Sequence, residues 1–311
     1  MMPGMQPDSI PKAHSAEHFG PQRDYWWNRD FLDLMARRWR LNEASSLADI
    51  GCGRCHWSRL LYPFLKQPAR LAAVDRDSRW VAEAERYFRQ AFPDTPQEML
   101  SFKQGDATNI PLATDTFDVA TCQTVLMHLA DPFQAIMEMM RIVRPGGLVI
   151  CVEPNNLWNC LAFSSLTAAE SVEVLTRRFE FWLRYHRGKE ANGQGNHSIG
   201  DLLPGYFQQA GLTDISVYLS DRAAALWPPY ESTAQRAMVE QEQLWKDSAT
   251  GPWDRIDLRR YVISGGATEE FFDTVFQELI AKYNVEQRAI AARTFHSGGG
   301  GVSYLVSGRK K

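Results

Sequence analysis

Two glycines and an acid in the first third of the chain have the types and spacing of a nucleotide-type cofactor site. Gly51 and Gly53 follow a short apolar run, and glycine lets the backbone turn sharply and come close to a ligand. The next residues predict a helix whose first N–H groups are unpaired. Asp75 ends a second apolar run about twenty residues further on, where a carboxylate can accept hydrogen bonds from ribose hydroxyls. The pattern predicts a cofactor with a free ribose.

The same stretch contains letters that suggest other chemistry. Residues 52–56 read Cys-Gly-Arg-Cys-His, the attachment pattern of a c-type haem, and the two cysteines form half of a zinc or redox motif. Haem attachment needs an exported chain and an axial ligand, and no second cysteine or histidine pair with zinc spacing is present in the sequence. A Rossmann dehydrogenase would have a third glycine where His56 stands. We therefore expect no metal and disfavour haem and NAD.

Composition narrows the range of partners. The chain has 311 residues, a net charge of -3 and 44% hydrophobic residues, which is typical of a folded globular protein. An acidic balance disfavours nucleic acid, because phosphate binding normally needs a basic patch. No apolar run approaches a membrane span or a secretory signal. With five cysteines, an odd number, we expect reduced thiols and a cytoplasmic protein without a membrane partner.

Short apolar strands alternate with helical segments, and this alternation predicts an α/β fold with a doubly wound parallel sheet covered on both faces. Strands are predicted at residues 47–50, 71–74, 100–104, 117–121, 148–152, 214–219 and 302–306. Helices are predicted at residues 25–39, 57–61, 80–92, 127–143, 157–187 and 202–210. Residues 188–196 read as a polar, glycine-rich loop that could move, and residues 220–300 as mostly helical.

Three motifs in this order resemble those of the class I S-adenosylmethionine-dependent methyltransferases, in particular their small-molecule branch. The first is the run Asp49-Ile50-Gly51-Cys52-Gly53-Arg54-Cys55, in which Cys55 replaces the third glycine of the family pattern. Residues 121–132 resemble the fourth motif, where a histidine precedes an aliphatic-acid-proline ending. Arg-Pro-Gly-Gly at residues 144–147 precedes the fifth strand, as in the family. The resemblance covers most of residues 46–219 and the last strand.

The resemblance implies a Rossmann-like sheet of seven strands, mostly parallel, whose last strand is antiparallel beside the sixth, with helical insertions as a lid. It also implies the cofactor S-adenosylmethionine. In this family pattern Gly51 and Gly53 approach the cofactor, Asp49 lies near its amino-acid portion, and Asp75 holds the ribose. The remaining predicted cofactor contacts, on the adenine side and around the methionine part, are Tyr25, Arg76, Asp106, Ala107 and Gln123.

Histidines and a tyrosine supply the candidates for the acceptor side. His128 is a candidate general base, because an ordinary histidine pKa of about 6.5 suits neutral pH. Packing of the turn after the fourth strand explains it equally well. Tyr185, His186 and His197 lie in the variable segments and are candidates to contact substrate, with a surface or packing role as the alternative.

The predicted function is transfer of a methyl group to an oxygen, nitrogen or carbon nucleophile of a small molecule by in-line displacement. Methylation of a protein or RNA, or binding of the cofactor without catalysis, are the alternatives. The predicted layout has a covering segment at residues 1–45 and a core at 46–220 and 298–311, with a lid insertion at 157–199. Residues 221–297 form a helical insertion for substrate or for an interface, which is compatible with a homodimer.

Overall fold

Within the residues that it describes, 23, 25–247 and 253–311, the computed structural model has a seven-stranded sheet at its centre. The strands are β1 Ser46–Ile50, β2 Arg70–Asp75, β3 Leu100–Gln104, β4 Phe117–Gln123, β5 Val143–Pro154, β6 Thr213–Leu219 and β7 Ser303–Arg309. Their order is β3-β2-β1-β4-β5-β7-β6, and β7 runs antiparallel to β5 and β6, while the other neighbours are parallel. The predicted fold class is confirmed.

Helices cover both faces of the sheet and fill the insertions. They are α1 Arg29–Trp39, α2 His56–Leu61, α3 Ser78–Ala91, α4 Pro132–Ile142, α5 Val172–Ala191, α6 Leu203–Gln209, α7 Thr233–Asp247, α8 Arg255–Ser264 and α9 Glu269–Ala291. Short 3-10 turns lie at Leu41–Glu43, Tyr62–Phe64, Gln97–Met99, Leu126–His128, Trp158–Leu161 and Gly200–Leu202. The first part of the predicted covering segment, residues 1–22 and 24, lies outside the described residues.

The sheet is buried because it separates two hydrophobic layers. One layer includes Met35 and Phe88 from the helices α1 and α3, and the other includes Ile136 and Phe207 from α4 and α6. All five residues of β1 are buried, as expected for a central strand with helices on both sides. Because β1, β2, β4 and β5 run parallel, their carboxyl ends meet at one edge of the sheet, where ligands bind in open α/β sheets.

Three predicted helices begin several residues later in the structure than in the prediction. The helix predicted at 127–143 begins only at Pro132, because the side chain of Asp131 caps it by accepting from the backbone N–H of Gln134 at 2.9 Å. The helix predicted at 157–187 is a short 3-10 turn followed by irregular chain, and α5 begins after Ser171, whose hydroxyl caps it. The first predicted helix also begins later, at Arg29.

The helices α5 and α8 pack at a very short distance because Gly188 in α5 and Gly265, the residue directly after α8, lie at the crossing. A Cβ added at Gly188 would lie 1.7 Å from the carbonyl oxygen of Tyr261, and one at Gly265 would lie 1.9 Å from that of Arg184. Residues of α9 complete a third hydrophobic cluster with Phe181 of α5. The insertion between β6 and β7 and the earlier helix α5 thus form one packed unit above the sheet edge.

Candidate functional site

The glycine loop between β1 and α2 is held in a left-handed conformation by hydrogen bonds to β2. The backbone N–H groups of Gly51 and Cys52 donate to the carbonyl of Val74 at 2.7 and 3.0 Å. Gly51 and Gly53 have φ angles of 67° and 49°, and Cys55 has a φ of 56°. Cys55, which departs from the family pattern, therefore adopts the backbone conformation that glycine takes at least cost.

Asp75 ties the second strand to this loop. One carboxylate oxygen accepts from the backbone N–H of Gly53 at 2.9 Å, and the other accepts from that of Asp77 at 2.9 Å. Burial raises the pKa of Asp75, and these two backbone hydrogen bonds oppose the rise. Each oxygen keeps a second lone pair for a ligand hydroxyl. The candidate ribose acid and the candidate cofactor loop are thus in direct contact.

Asp49 is a buried carboxylate with one oxygen lacking a partner. Its side chain is 1% exposed, and Oδ2 makes no hydrogen bond, whereas Ser58 provides hydrogen bonds to the carboxylate. Burial raises the pKa of Asp49 to about 7, and the hydrogen bonds from Ser58 lower it. A buried polar atom without a partner is costly, so this oxygen suits a ligand cation such as the ammonium of a methionine group.

The adenine-side candidates lie beside the carboxyl end of β3. Asp106 is exposed, and its Oδ1 accepts from the backbone N–H and the hydroxyl of Thr108 at 2.8 and 2.6 Å. These bonds hold the pKa of Asp106 below its ordinary value. Ala107 is buried, and the exposed guanidinium of Arg76 is close enough to lower the pKa of both Asp75 and Asp106. The structure brings these four residues to one edge.

The turn after β4 is fixed by Glu153, a residue to which sequence reasoning gave no role. Its fully buried carboxylate accepts from the backbone N–H groups of Val125, Leu126 and Met127 at 2.8, 2.9 and 3.2 Å. Burial raises the pKa of Glu153 to about 7, against the effect of these bonds. Glu153 therefore positions the 3-10 turn that ends at His128. An acid at the carboxyl end of a buried strand was the available signal.

The same edge is covered from the N-terminal side. A guanidinium nitrogen of Arg23 donates to the hydroxyl of Thr124 at 3.3 Å, next to Gln123 at the end of β4. Burial and, to a smaller extent, the positive charge of Arg54 lower the pKa of Arg23 to about 10. Tyr25 is half-buried two residues after Arg23. The segment with Tyr25 is therefore close to the strand that carries Gln123.

The three candidate histidines form a row, although they are far apart in sequence. The rings of His128 and His197 meet edge to face with centroids 5.0 Å apart, and His186 lies 6.0 Å from His197. Tyr185 lies 5.7 Å from His186, whose Nδ1 is 3.2 Å from the hydroxyl of Ser198. Burial lowers the pKa of His186 to about 4, so this ring is neutral at pH 7.

The loop at 192–199 is anchored against the core rather than free-standing. A Cβ at Gly195, which has a φ of 74°, would lie 2.3 Å from the carbonyl oxygen of Met127. On the other side, the amide nitrogen of Asn156 donates to the carbonyl of His197 at 2.8 Å, and the N–H of Leu157 donates to Ser198 at 3.1 Å. The loop therefore presents His197 to His128 in a defined position.

Sequence reasoning gave no role to Lys189, which lies with Tyr261 at the end of the row opposite His128. Lys189 follows His186 by one turn of α5, and its side chain is 5% exposed. Its ammonium lies 5.5 Å from the ring of Tyr185 and 5.4 Å from that of Tyr261. No sequence pattern signals this site, because it depends on the close crossing of α5 and α8.

The comparisons with known proteins agree with this geometry. Residues 48–151, which span β1 to β5, match the model of a methyltransferase domain. This part of the chain is therefore similar to methyltransferase domains. The expectation of a methyltransferase enzyme is confirmed by this match and by relatives named as methyltransferases.

Two of these relatives are demethylmenaquinone methyltransferases. That of Halalkalibacterium halodurans is 24% identical over 63% of this chain and 77% of its own length. That of Lysinibacillus sphaericus is 27% identical over 51% of this chain and 58% of its own length. Among solved structures, the YcgJ protein of Bacillus subtilis has a TM-score of 0.49 and 17% identity, with 91% of this chain and all of that chain covered.

Further observations concern the cysteines of residues 52–56 and the possibility of a metal site. Cys52 and Cys55 are buried free thiols, and the thiol of Cys52 donates to the carbonyl of Gly53 at 3.7 Å. Across the described part of the chain, no group of three or more histidine, cysteine or acidic side chains is arranged to hold a metal ion. Nor does any helix in that part have the length and apolarity to cross a membrane.

Proposed function

We propose that this methyltransferase binds S-adenosylmethionine over the carboxyl ends of β1, β2 and β3 and methylates a small molecule held beside the histidine row. The observation that carries the proposal is the unpartnered, buried oxygen of Asp49. It stands next to a loop whose glycines turn towards the ligand side and whose N–H is already fixed by Asp75. A ligand with a cationic amino group and a ribose could pair its amino group with Asp49 and donate from its ribose hydroxyls to Asp75.

In this proposal each acid has one task. Asp49 pairs with the ammonium of the amino-acid portion, and Asp75 accepts from the ribose hydroxyls while it holds Gly53. Asp106 and Ala107 border the adenine, with Arg76 and Gln123 beside it and Tyr25 as a cover. Once bound, the cofactor supplies a methyl group on a sulfonium, which is a good leaving group. The protein's contribution is therefore mainly to hold the acceptor in line.

On the acceptor side, His128 is the proposed base. It is fixed by the turn that Glu153 holds and by contact with His197. In the proposed reaction its imidazole accepts a proton from an acceptor that carries one, while neutral His186 and Tyr185 line the pocket further along. The anchored loop at 192–199 excludes water from this space. Direct proton acceptance by one positioned side chain typically contributes a factor of about 10² to 10⁴ in rate.

We further propose an aromatic acceptor. Two relatives are named demethylmenaquinone methyltransferases. In this chain the ring of Tyr185 lies 5.6 Å from that of Trp182 and 5.7 Å from that of Tyr261. A cytoplasmic location fits the free thiols. The homodimer and the division into core, lid and insertion remain predictions.

Calorimetry with S-adenosylhomocysteine tests the cofactor assignment, and the absence of binding, or tighter binding of NAD, would end it. Turnover is then tested by incubating the full chain and labelled S-adenosylmethionine with a metabolite extract and, separately, with protein and RNA fractions. Label transferred to a small molecule supports the proposal. Label confined to protein or RNA would favour a macromolecular acceptor, and binding without any transfer would favour a non-catalytic cofactor-binding protein.

A further inference from the structure

Lys189 carries its ammonium into the lid without a matching carboxylate. Its side chain is 5% exposed, and its Nζ contacts the ring faces of Tyr185 and Tyr261. Among the described residues, no acid lies within ion-pair distance of this nitrogen, although Asp257 is near enough to raise its pKa. Burial has the larger effect and lowers the pKa of Lys189 to about 8.

Burying a charged side chain costs free energy of folding unless a group of opposite charge or a hydrogen-bond acceptor compensates it. Removing an ammonium from water carries a large desolvation penalty, and contacts with ring faces offset only part of it. At pH 7 an amine with this pKa is still mostly protonated. An anionic group of a ligand would supply the missing compensation, whereas a purely structural position would be served better by an apolar side chain.

The position of Lys189 connects it to the acceptor pocket. It lies three and four residues after His186 and Tyr185, which places the three side chains on one face of α5. Its charge lowers the pKa of His186, and His186 leads through His197 to His128. Lys189 and His128 therefore stand at opposite ends of one row of rings.

We propose that Lys189 binds an oxygen monoanion, either a carboxylate or a phenolate, on an aromatic acceptor whose nucleophile lies beside His128. This inference rests on the proposed methyltransferase function. The acceptor lies along this row of side chains, and its anion contacts the ammonium between Tyr185 and Tyr261. A single buried cation matches a monoanion, and the surrounding phenol rings suit an aromatic ligand.

The test uses two matched pairs of small probes, added to the full chain saturated with S-adenosylhomocysteine and followed by ligand-observed NMR. Benzoate is compared with neutral benzamide, and 4-nitrophenolate with neutral 4-nitroanisole. We expect wild type to prefer the anion of at least one pair by about tenfold or more. Lys189→Met should abolish that preference, and Lys189→Arg, which keeps the charge, should retain it. A preference in only one pair identifies the anion as carboxylate or phenolate.

Lys282→Met is the control, because Lys282 is also partly buried but lies 4.0 Å from Glu286, with which it forms an ion pair. It should leave the anion preference intact. The inference is overturned if wild type shows no preference in either pair, or if Lys189→Met keeps it. If S-adenosylhomocysteine does not bind to wild type, the proposed function fails first; if it binds and the probes are not distinguished, only the role of Lys189 fails.

Discussion

Replacing Asp75 by alanine should weaken binding of S-adenosylhomocysteine while leaving the protein folded. In the free protein the carboxylate accepts two backbone hydrogen bonds at 2.9 Å, from Gly53 and Asp77. In the complex it would accept from the ribose as well. The substitution therefore leaves ribose hydroxyls unpaired and loosens the loop that carries Gly53.

The loss can be sized from these contacts. Free-state bonds to Gly53 and Asp77 are present with and without ligand, so they lower stability more than affinity. A bond from a ribose hydroxyl forms only in the complex, and a hydrogen bond to a charged group contributes a net of about 1.5 to 3 kcal/mol. We expect a loss of roughly 1 to 3 kcal/mol, which is about 5- to 150-fold in affinity.

Calorimetric titration of wild type, Asp75→Ala and Asp75→Asn, with the Tm of each variant, measures both effects. Asparagine retains one acceptor oxygen and should fall between the other two. Asp131→Asn is a matched control, because Asp131 also accepts from a backbone N–H, at 2.9 Å, but caps α4 away from the loop; its affinity should equal that of wild type. An Asp75→Ala variant that unfolds normally and binds within twofold of wild type would refute the ribose assignment.

Three further predictions follow from the site. The ligand ammonium should lower the pKa of Asp49 from about 7, so binding below pH 7 releases a proton and the affinity should rise about tenfold between roughly pH 6 and 8. Calorimetry in buffers of different ionisation enthalpy measures this proton release. An equal rise in affinity in Asp49→Asn would contradict the assignment. His128→Gln should lower kcat by about 10² to 10⁴ with little change in S-adenosylhomocysteine affinity, whereas a wild-type kcat at saturating acceptor would remove His128 as the base. Gly195→Ala should lower Tm and kcat together, because its Cβ would meet the carbonyl of Met127. Gly193→Ala is the control: its φ is 69° but no atom lies within 4 Å of the added Cβ, so it should cost only about 1 to 2 kcal/mol of stability. Equal effects of the two substitutions on Tm and kcat would argue against the contact.

The sequence allowed the prediction of those parts of the site that depend on local order. A strand that ends in glycine, followed by a helix, is a local signal, and Asp75 could be placed because β2 pairs with β1 in parallel register. The structure brings Asp75 into contact with Gly53, as that reasoning requires. The predicted strands also lie within a few residues of the observed ones, since buried strands are short apolar runs.

Other features depend on contacts between distant elements and could not be predicted. Glu153 caps the turn after β4 only because β4 and β5 pair so that Gln123 lies opposite Val152. Lys189 is buried only because glycines let α5 and α8 approach closely. The overlong helix predictions failed for a different reason: periodic apolar residues continue through segments that side-chain caps, such as those of Asp131 and Ser171, divide.

The long insertion leaves and re-enters the sheet at neighbouring positions. Leu219 at the end of β6 pairs with Tyr304 near the start of β7, and the next residues, Ser220 and Ser303, are joined by two hydrogen bonds at 2.8 and 3.1 Å. Because the chain leaves and re-enters the sheet at one place, the length of the segment between these residues does not affect the register of β6 and β7. Insertions or deletions in its exposed turns can therefore be accommodated without moving the candidate cofactor loop, which lies on the other side of β4 in the strand order.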